Sequence, residues 1–210
     1  MFVNSTDQEL SGTKSLCTAS RKELGKELCD RWAKKGISIQ YKERVRALGA
    51  GLGAGVRRNM TVLKERYHKY RSRIPRFRRL RRMGVNTAKL VRTGIRAMTY
   101  GSAVTGVPDG LLRSQRQTVA AIAAPGAGTC GQNLDFALMV ADEGLTGRAD
   151  PSYDAHGLPI GEWAMAVWEG WESTTVMQLT IDNAMKRFAV AKNRWSVTYG
   201  PGAAYVLTCW

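Results

Sequence analysis

The stretch RRNMTVLKERYHKYRSRIPRFRRLRRMG, residues 57–84, decides the fold. Within it Met60, Leu63, Tyr67, Tyr70 and Ile74 recur at spacings of 3, 4, 3 and 4. That is one apolar stripe of an amphipathic helix. Pro75 has no amide hydrogen and so ends the helix or starts a new one. In the second segment Phe77 and Leu80 mark one face, and Arg76, Arg78, Arg79, Arg81 and Arg82 cover the others. Gly84 suits the residue just past a helix end.

On the N-terminal side the period changes. Leu16 and Cys17 suit a short strand. Ser20 with Glu23 forms a capping-box pair for a helix from Arg21 to about Lys35, with Leu24, Leu28 and Trp32 inward and Gly36 at its end. Ile37, Ile39 and Tyr41, then Val45 and Ala47, alternate about a turn near Lys42–Glu43, which predicts a small hairpin. Gly49, Gly51, Gly53 and Gly55 follow; such a run suits a strand edge, a bulge or a hinge. As a phosphate cradle it lacks a following Lys-Ser/Thr pair.

On the C-terminal side the pattern stays helical. Asn86 can cap a helix from Thr87 to about Tyr100, with Leu90, Val91, Ile95 and Met98 inward. Pro108–Asp109 opens another, carrying Leu111, Leu112, Gln115, Val119 and Ile122, and Ala124-Pro-Gly-Ala-Gly closes it as the best internal boundary. Leu134, Leu138 and Met139 predict a short helix, followed by a loop through Gly147, Asp150–Pro151 and His156–Gly157. Ile160, Trp163, Ala164, Val167, Trp168 and Trp171 predict an amphipathic helix with those residues as core or partner surface. Met177, Ile181, Ala184, Phe188 and Trp195 suggest one more, and Gly200–Pro201 starts a last one. An end on Tyr205-Val-Leu-Thr-Cys-Trp210 reads as a cut, because termini are normally polar. The expected fold is therefore mainly α: a small N-terminal α+β remnant of short strands and a hairpin over 1–56, then a helical bundle. The bundle divides into a basic helical region over 57–124 and a C-terminal helical region over 125–210.

The charge is as uneven as the periodicity. Residues 40–101 hold eighteen Lys and Arg against two acids, Glu43 and Glu65, so this segment alone exceeds the whole chain's +15. A solvated helix face usually mixes signs, whereas a face nearly free of acids argues for contact with a phosphate backbone. The partners expected are RNA, DNA or an RNA–DNA hybrid. A membrane surface, which basic amphipathic helices also bind, is the less favoured reading of the same segment. No apolar run is long enough to span a bilayer, and no secretory signal precedes Asp7. Cys17, Cys29, Cys130 and Cys209 are scattered without a CxxC pair, which predicts buried reduced thiols, no metal site and an intracellular setting, nucleus or cytoplasm. Tyr67 and Tyr70 sit on the apolar stripe, so packing is expected rather than base stacking. His156 beside Asp150, Tyr153 and Asp154 reads as a polar loop rather than an acid–base or metal site. No Ser/His/Asp constellation, HExxH or Walker motif is present.

Three blocks, in order, add a family. Leu10-Ser-Gly-Thr-Lys14 before an apolar strand resembles the motif that follows the catalytic aspartates of reverse transcriptases. Val45-Arg-Ala-Leu-Gly-Ala50 resembles their primer-gripping palm hairpin, with Ala47 where an aromatic is usual. Arg79 to Ile95, followed by Tyr100–Gly101, resembles the thumb of non-LTR retrotransposon polymerases. The resemblance covers about residues 7–130 and implies palm edge, thumb and a further helical segment. It also implies that the metal-binding aspartates lie upstream, in a polymerase segment this chain lacks; Asp7 and Glu9 do not form their pattern. Two-metal phosphoryl transfer needs those carboxylates, so the chain is expected to be a non-catalytic remnant of an RNA-directed DNA polymerase. Mg belongs only to the intact parent and no cofactor is expected; Lys14 by itself reads as a surface lysine, and the resemblance alone implies a vestigial nucleotide-site lysine. The expected nucleic-acid contacts are Arg57, Arg58, Lys64, Arg71, Arg73, Arg76, Arg78, Arg79, Arg81, Arg82, Lys89 and Arg92. The other reading from the same residues is a free-standing basic RNA- or DNA-binding accessory protein.

Overall fold

The computed structural model describes residues 15–54, 57–125, 131–142 and 147–209. Asp7, Glu9, the Leu10–Lys14 motif, Gly55, Cys130 and Trp210 lie outside them. The architecture is mainly α, with short strands in two small sheets toward the N-terminus. The chain divides into two compact units, residues 1–59 and 60–210.

In the first unit β1 (Leu16–Cys17) pairs in parallel with β2 (Gln40–Tyr41), and α1 (Lys22–Ala33) connects them. The expected Ser20 cap does not form: extended Arg21 precedes the helix, and no side chain caps it. At the other end the Ile37 amide donates to the Trp32 carbonyl at 3.0 Å and the Gly36 amide to that of Ala33 at 2.9 Å. This pair closes the helix around Gly36, whose φ is +78°. Leu24 is exposed rather than inward.

The hairpin sits one turn later than expected. β3 (Arg44–Ala47) pairs antiparallel with β4 (Ala50–Gly53), in the register Arg44 to Gly53 and Ala47 to Ala50. Tyr41 is instead held by β1, and the Lys42 amide donates to the Cys17 carbonyl at 2.9 Å. A two-residue hairpin turn of the favoured hand needs positive φ at both residues. Leu48 (+46°) and Gly49 (+83°) meet that need, and Gly51 and Gly53 of the run lie on strand β4. Asn59 secures this strand: its Nδ2 donates to the Leu52 carbonyl at 2.9 Å and to that of Val45 at 3.4 Å.

The second unit begins with α2 (Thr61–Arg71), α3 (Ile74–Arg82) and α4 (Ala88–Thr99). A short α5 (Ser102–Thr105) leads to α6 (Asp109–Ala123) and α7 (Gly131–Asp142). Then come α8 (Pro151–Trp168), α9 (Thr174–Ala191) and α10 (Pro201–Thr208). Tyr67, Tyr70, Val91, Ile95, Met98, Val119, Ile122, Leu134 and Leu138 share one core, with Ile74 and Phe77 packed against it. Helices on both sides of Ala124 contribute to this core. Gly94 lets α2 approach α4: a Cβ there would lie 2.6 Å from the Tyr70 ring. Asn86 acts as expected, its Oδ1 accepting the Ala88 amide at 2.9 Å. Leu90 and Met139, expected inward, are exposed.

The largest departure is α8. It starts at Pro151, so the expected loop through His156–Gly157 is helix, and Pro159 lies inside it. Pro151, Ala155 and Pro159 form the buried face, which packs on α5 and α10. The expected stripe is split: Trp163 is half-buried with its ring centroid 4.8 Å from that of Tyr205 on α10, whereas Trp168 is 89% and Trp171 53% exposed, and Ile160 and Val167 are exposed too.

Candidate nucleic-acid interface

The core fixes which residues of α2 and α3 face outward. Val62, Leu63, Tyr67 and Tyr70 point inward on α2, leaving Lys64, Lys69 and Arg71 exposed. On α3 no residue is fully buried; Ile74, Phe77 and Leu80 are half-buried, and the Phe77 ring centroid stands 6.0 Å from that of Tyr70. Arg76, Arg79 and Arg82, at spacings of three, follow the outer ridge of α3, with Arg78 beside them and Arg73 just before the helix. All five are exposed. Among the described residues the side chains of Lys64, Lys69, Arg71, Arg73, Arg76, Arg78, Arg79 and Arg82 make no hydrogen bond or ion pair. Glu65 is the one acid of residues 57–82, and it too is exposed.

The remaining expected contacts are placed differently. Arg81 turns toward α6, where its Nη1 donates to the Ala123 carbonyl and, at 3.4 Å, to that of Ile122. A cation there satisfies open carbonyls and the negative end of the helix dipole. Arg92 is half-buried and donates to the Asp142 carbonyl at 3.4 Å, while Lys89 is exposed on α4. Arg57 and Arg58 belong to the first unit, the former exposed and the latter half-buried and engaged. Lys69 was absent from the expected set although the same basic run contains it. Arg66 has a structural role: its Nη1 donates to the Tyr100 carbonyl and its guanidinium lies 5.0 Å from that ring's centroid.

Tyr67 and Tyr70 are core residues, not stacking platforms. The Tyr67 hydroxyl meets Thr118 Oγ1 at 3.0 Å and donates to the Ser114 carbonyl at 3.2 Å. The Tyr70 hydroxyl has no partner among the described residues, and burial pushes its pKa far above that of an ordinary phenol.

A second concavity, of about 500 Å³, opens between α6, α7 and the start of α8. Its carboxylates are already engaged. Arg116 Nε donates to both Asp150 oxygens at 2.9 and 3.1 Å, and Nη2 reaches Asp150 at 2.8 Å and Asp135 at 2.6 Å. Burial opposes the Arg116 charge, but the hydrogen bonds to Asp150 and Asp135 outweigh it and raise its pKa. Asp150 also caps α8 through the Ser152 amide, and Asp142 accepts the Ala149 amide at 3.0 Å. Asp154 accepts the Thr99 hydroxyl at 2.6 Å, and His156 is exposed on the second turn of α8. Among the described residues no group of three His, Cys, Asp or Glu could hold a metal ion. Cys17 and Cys29 are half-buried and Cys209 is exposed, so these free thiols are less buried than expected. No described helix is long and apolar enough to cross a membrane.

Comparisons with known protein families, with curated proteins and with solved structures found no match.

Proposed function

We propose that this chain binds the phosphate backbone of a nucleic acid through the outer faces of α2 and α3. One observation carries the proposal: eight exposed cations on and between two adjacent helices make no ion pair among the described residues, and Glu65 is the one acid in the run. Self-repulsion of that kind opposes folding, and a polyanion relieves it. Contacts of this type go to phosphate oxygens and are weakly sequence-specific. The ordered resemblance to reverse-transcriptase blocks supports a template–primer duplex as the partner. On that reading the chain is a non-catalytic remnant of an RNA-directed DNA polymerase. A labelled RNA–DNA hybrid titrated across a salt series tests the binding. Tight binding at low salt that weakens steeply as salt rises supports the proposal, and absence of binding at low salt removes it.

A further inference from the structure

We propose that the junction between α3 and α4 is a seat for a single phosphate group. The proposal rests on the nucleic-acid reading for its ligand, and it names one place where a phosphate is gripped rather than merely attracted. A pocket of about 390 Å³ opens there, lined by Arg81, Gly84, Asn86, Thr87, Ala123 and Val140 among others. No carboxylate is among its described lining residues.

Three kinds of donor lie at or beside it: Arg81 and Thr87 line it, and the open amides of α4 follow directly after the lining residue Ala88. The first is the N-terminus of α4, a twelve-residue helix with no acid in its first turn. Asn86 takes the Ala88 amide, while the Lys89 and Leu90 amides have no acceptor among the described residues. Such amides, with the positive end of the helix dipole, favour an anion. The second is Thr87, only 3% exposed, whose hydroxyl has no hydrogen-bond partner among the described residues. Its oxygen is not among the fully buried unpartnered atoms, so it keeps access to the pocket that Thr87 lines, where a ligand oxygen can accept its proton. The third is Arg81, tethered through Nη1 to the end of α6, so that its head is held in place. Its Nε and Nη2 make no bond among the described residues, and a guanidinium edge suits a phosphate. Amides, hydroxyl and guanidinium together match the acceptor oxygens of one phosphate, either a terminal monoester or an internal phosphodiester.

The test follows the Lys89 and Leu90 amide resonances of the full chain during titration with inorganic phosphate, against chloride at equal ionic strength. The expected result is a saturable shift with phosphate alone, weakened about tenfold by Thr87→Val and kept by Thr87→Ser. A shift equal with chloride, or unweakened phosphate binding by Thr87→Val, overturns the seat. A second titration compares a 5′-phosphorylated with a 5′-hydroxyl oligonucleotide. A shift with the former alone identifies a terminal phosphate, and a shift with both identifies a backbone phosphodiester. Hybrid binding that leaves both amides unshifted removes the seat and spares the nucleic-acid reading. Phosphate binding that depends on Thr87 without hybrid binding does the reverse.

Discussion

Neutralising the outer ridge of α3 with Arg76→Gln, Arg79→Gln and Arg82→Gln should cut both the affinity for an RNA–DNA hybrid and its dependence on salt. The three side chains are exposed and make no ion pair among the described residues, so their loss leaves no buried partner behind. If each meets one phosphate, the slope of log K against log salt becomes shallower by about 0.9 per contact, or about 2.7 in all. At about 0.1 M monovalent salt the same factor is about 2.7 decades, a loss of roughly 500-fold. Fluorescence anisotropy of a labelled hybrid at several salt concentrations measures both quantities. Lys186→Gln with Arg187→Gln on α9 is the control, since it removes exposed charge away from α2 and α3. An unchanged slope in the triple variant, or an equal loss per charge in the control, would show that net charge and not this face is responsible.

Three further outcomes concern stability. Leu48→Asn should stabilise the hairpin of the first unit by about 1 kcal/mol, because leucine at φ +46° is strained and asparagine tolerates that region; hydrogen exchange of the β3 and β4 amides checks it, and unchanged protection counts against the strain. Tyr70→Phe removes a buried hydroxyl that lacks a partner among the described residues, so the variant should be no less stable at pH 7. Because the folded state holds the Tyr70 proton above the unfolded value of 10.0, the native protein should lose stability as pH rises past 10, by up to about 1.4 kcal/mol per unit. That contribution should vanish in Tyr70→Phe when denaturant melts at pH 9 and 11 are compared. Arg116→Met should destabilise the second unit by about 2 kcal/mol, less than for a fully buried pair because the Arg116 side chain is 25% exposed; thermal unfolding reads this directly.

Much of this was legible where side-chain period and backbone chemistry agree. The stripe Leu63, Tyr67, Tyr70 and Ile74, the restart at Pro75 and the Asn86 side-chain bond each follow from a local rule, and each is found. The hairpin was displaced because alternation at Ile37, Ile39 and Tyr41 suggested a strand, whereas the turn forms where positive φ falls, at Leu48–Gly49. α8 was misplaced because Gly157 and Pro159 are helix breakers in isolation. Burial of Pro151, Ala155 and Pro159 against α5 and α10 outweighs that preference. Periodicity finds a stripe but not its partner, so the side of α8 bearing Trp168 read as either core or partner surface. At the basic face the charge was readable from the run itself. That Arg81 turns to the end of α6 was not, since it depends on where Ala123 lies in space.

A helix held to its neighbours by three half-buried side chains and one arginine hydrogen-bonded to α6 is also easily released. α3 combines that shallow anchorage with closely spaced like charges, so its local opening free energy should lie well below that of α4 or α6. The surface most suited to grip a polyanion is then the one that gains most order from it. Binding would report itself less as a change of shape than as a slowing of amide exchange confined to residues 74–82.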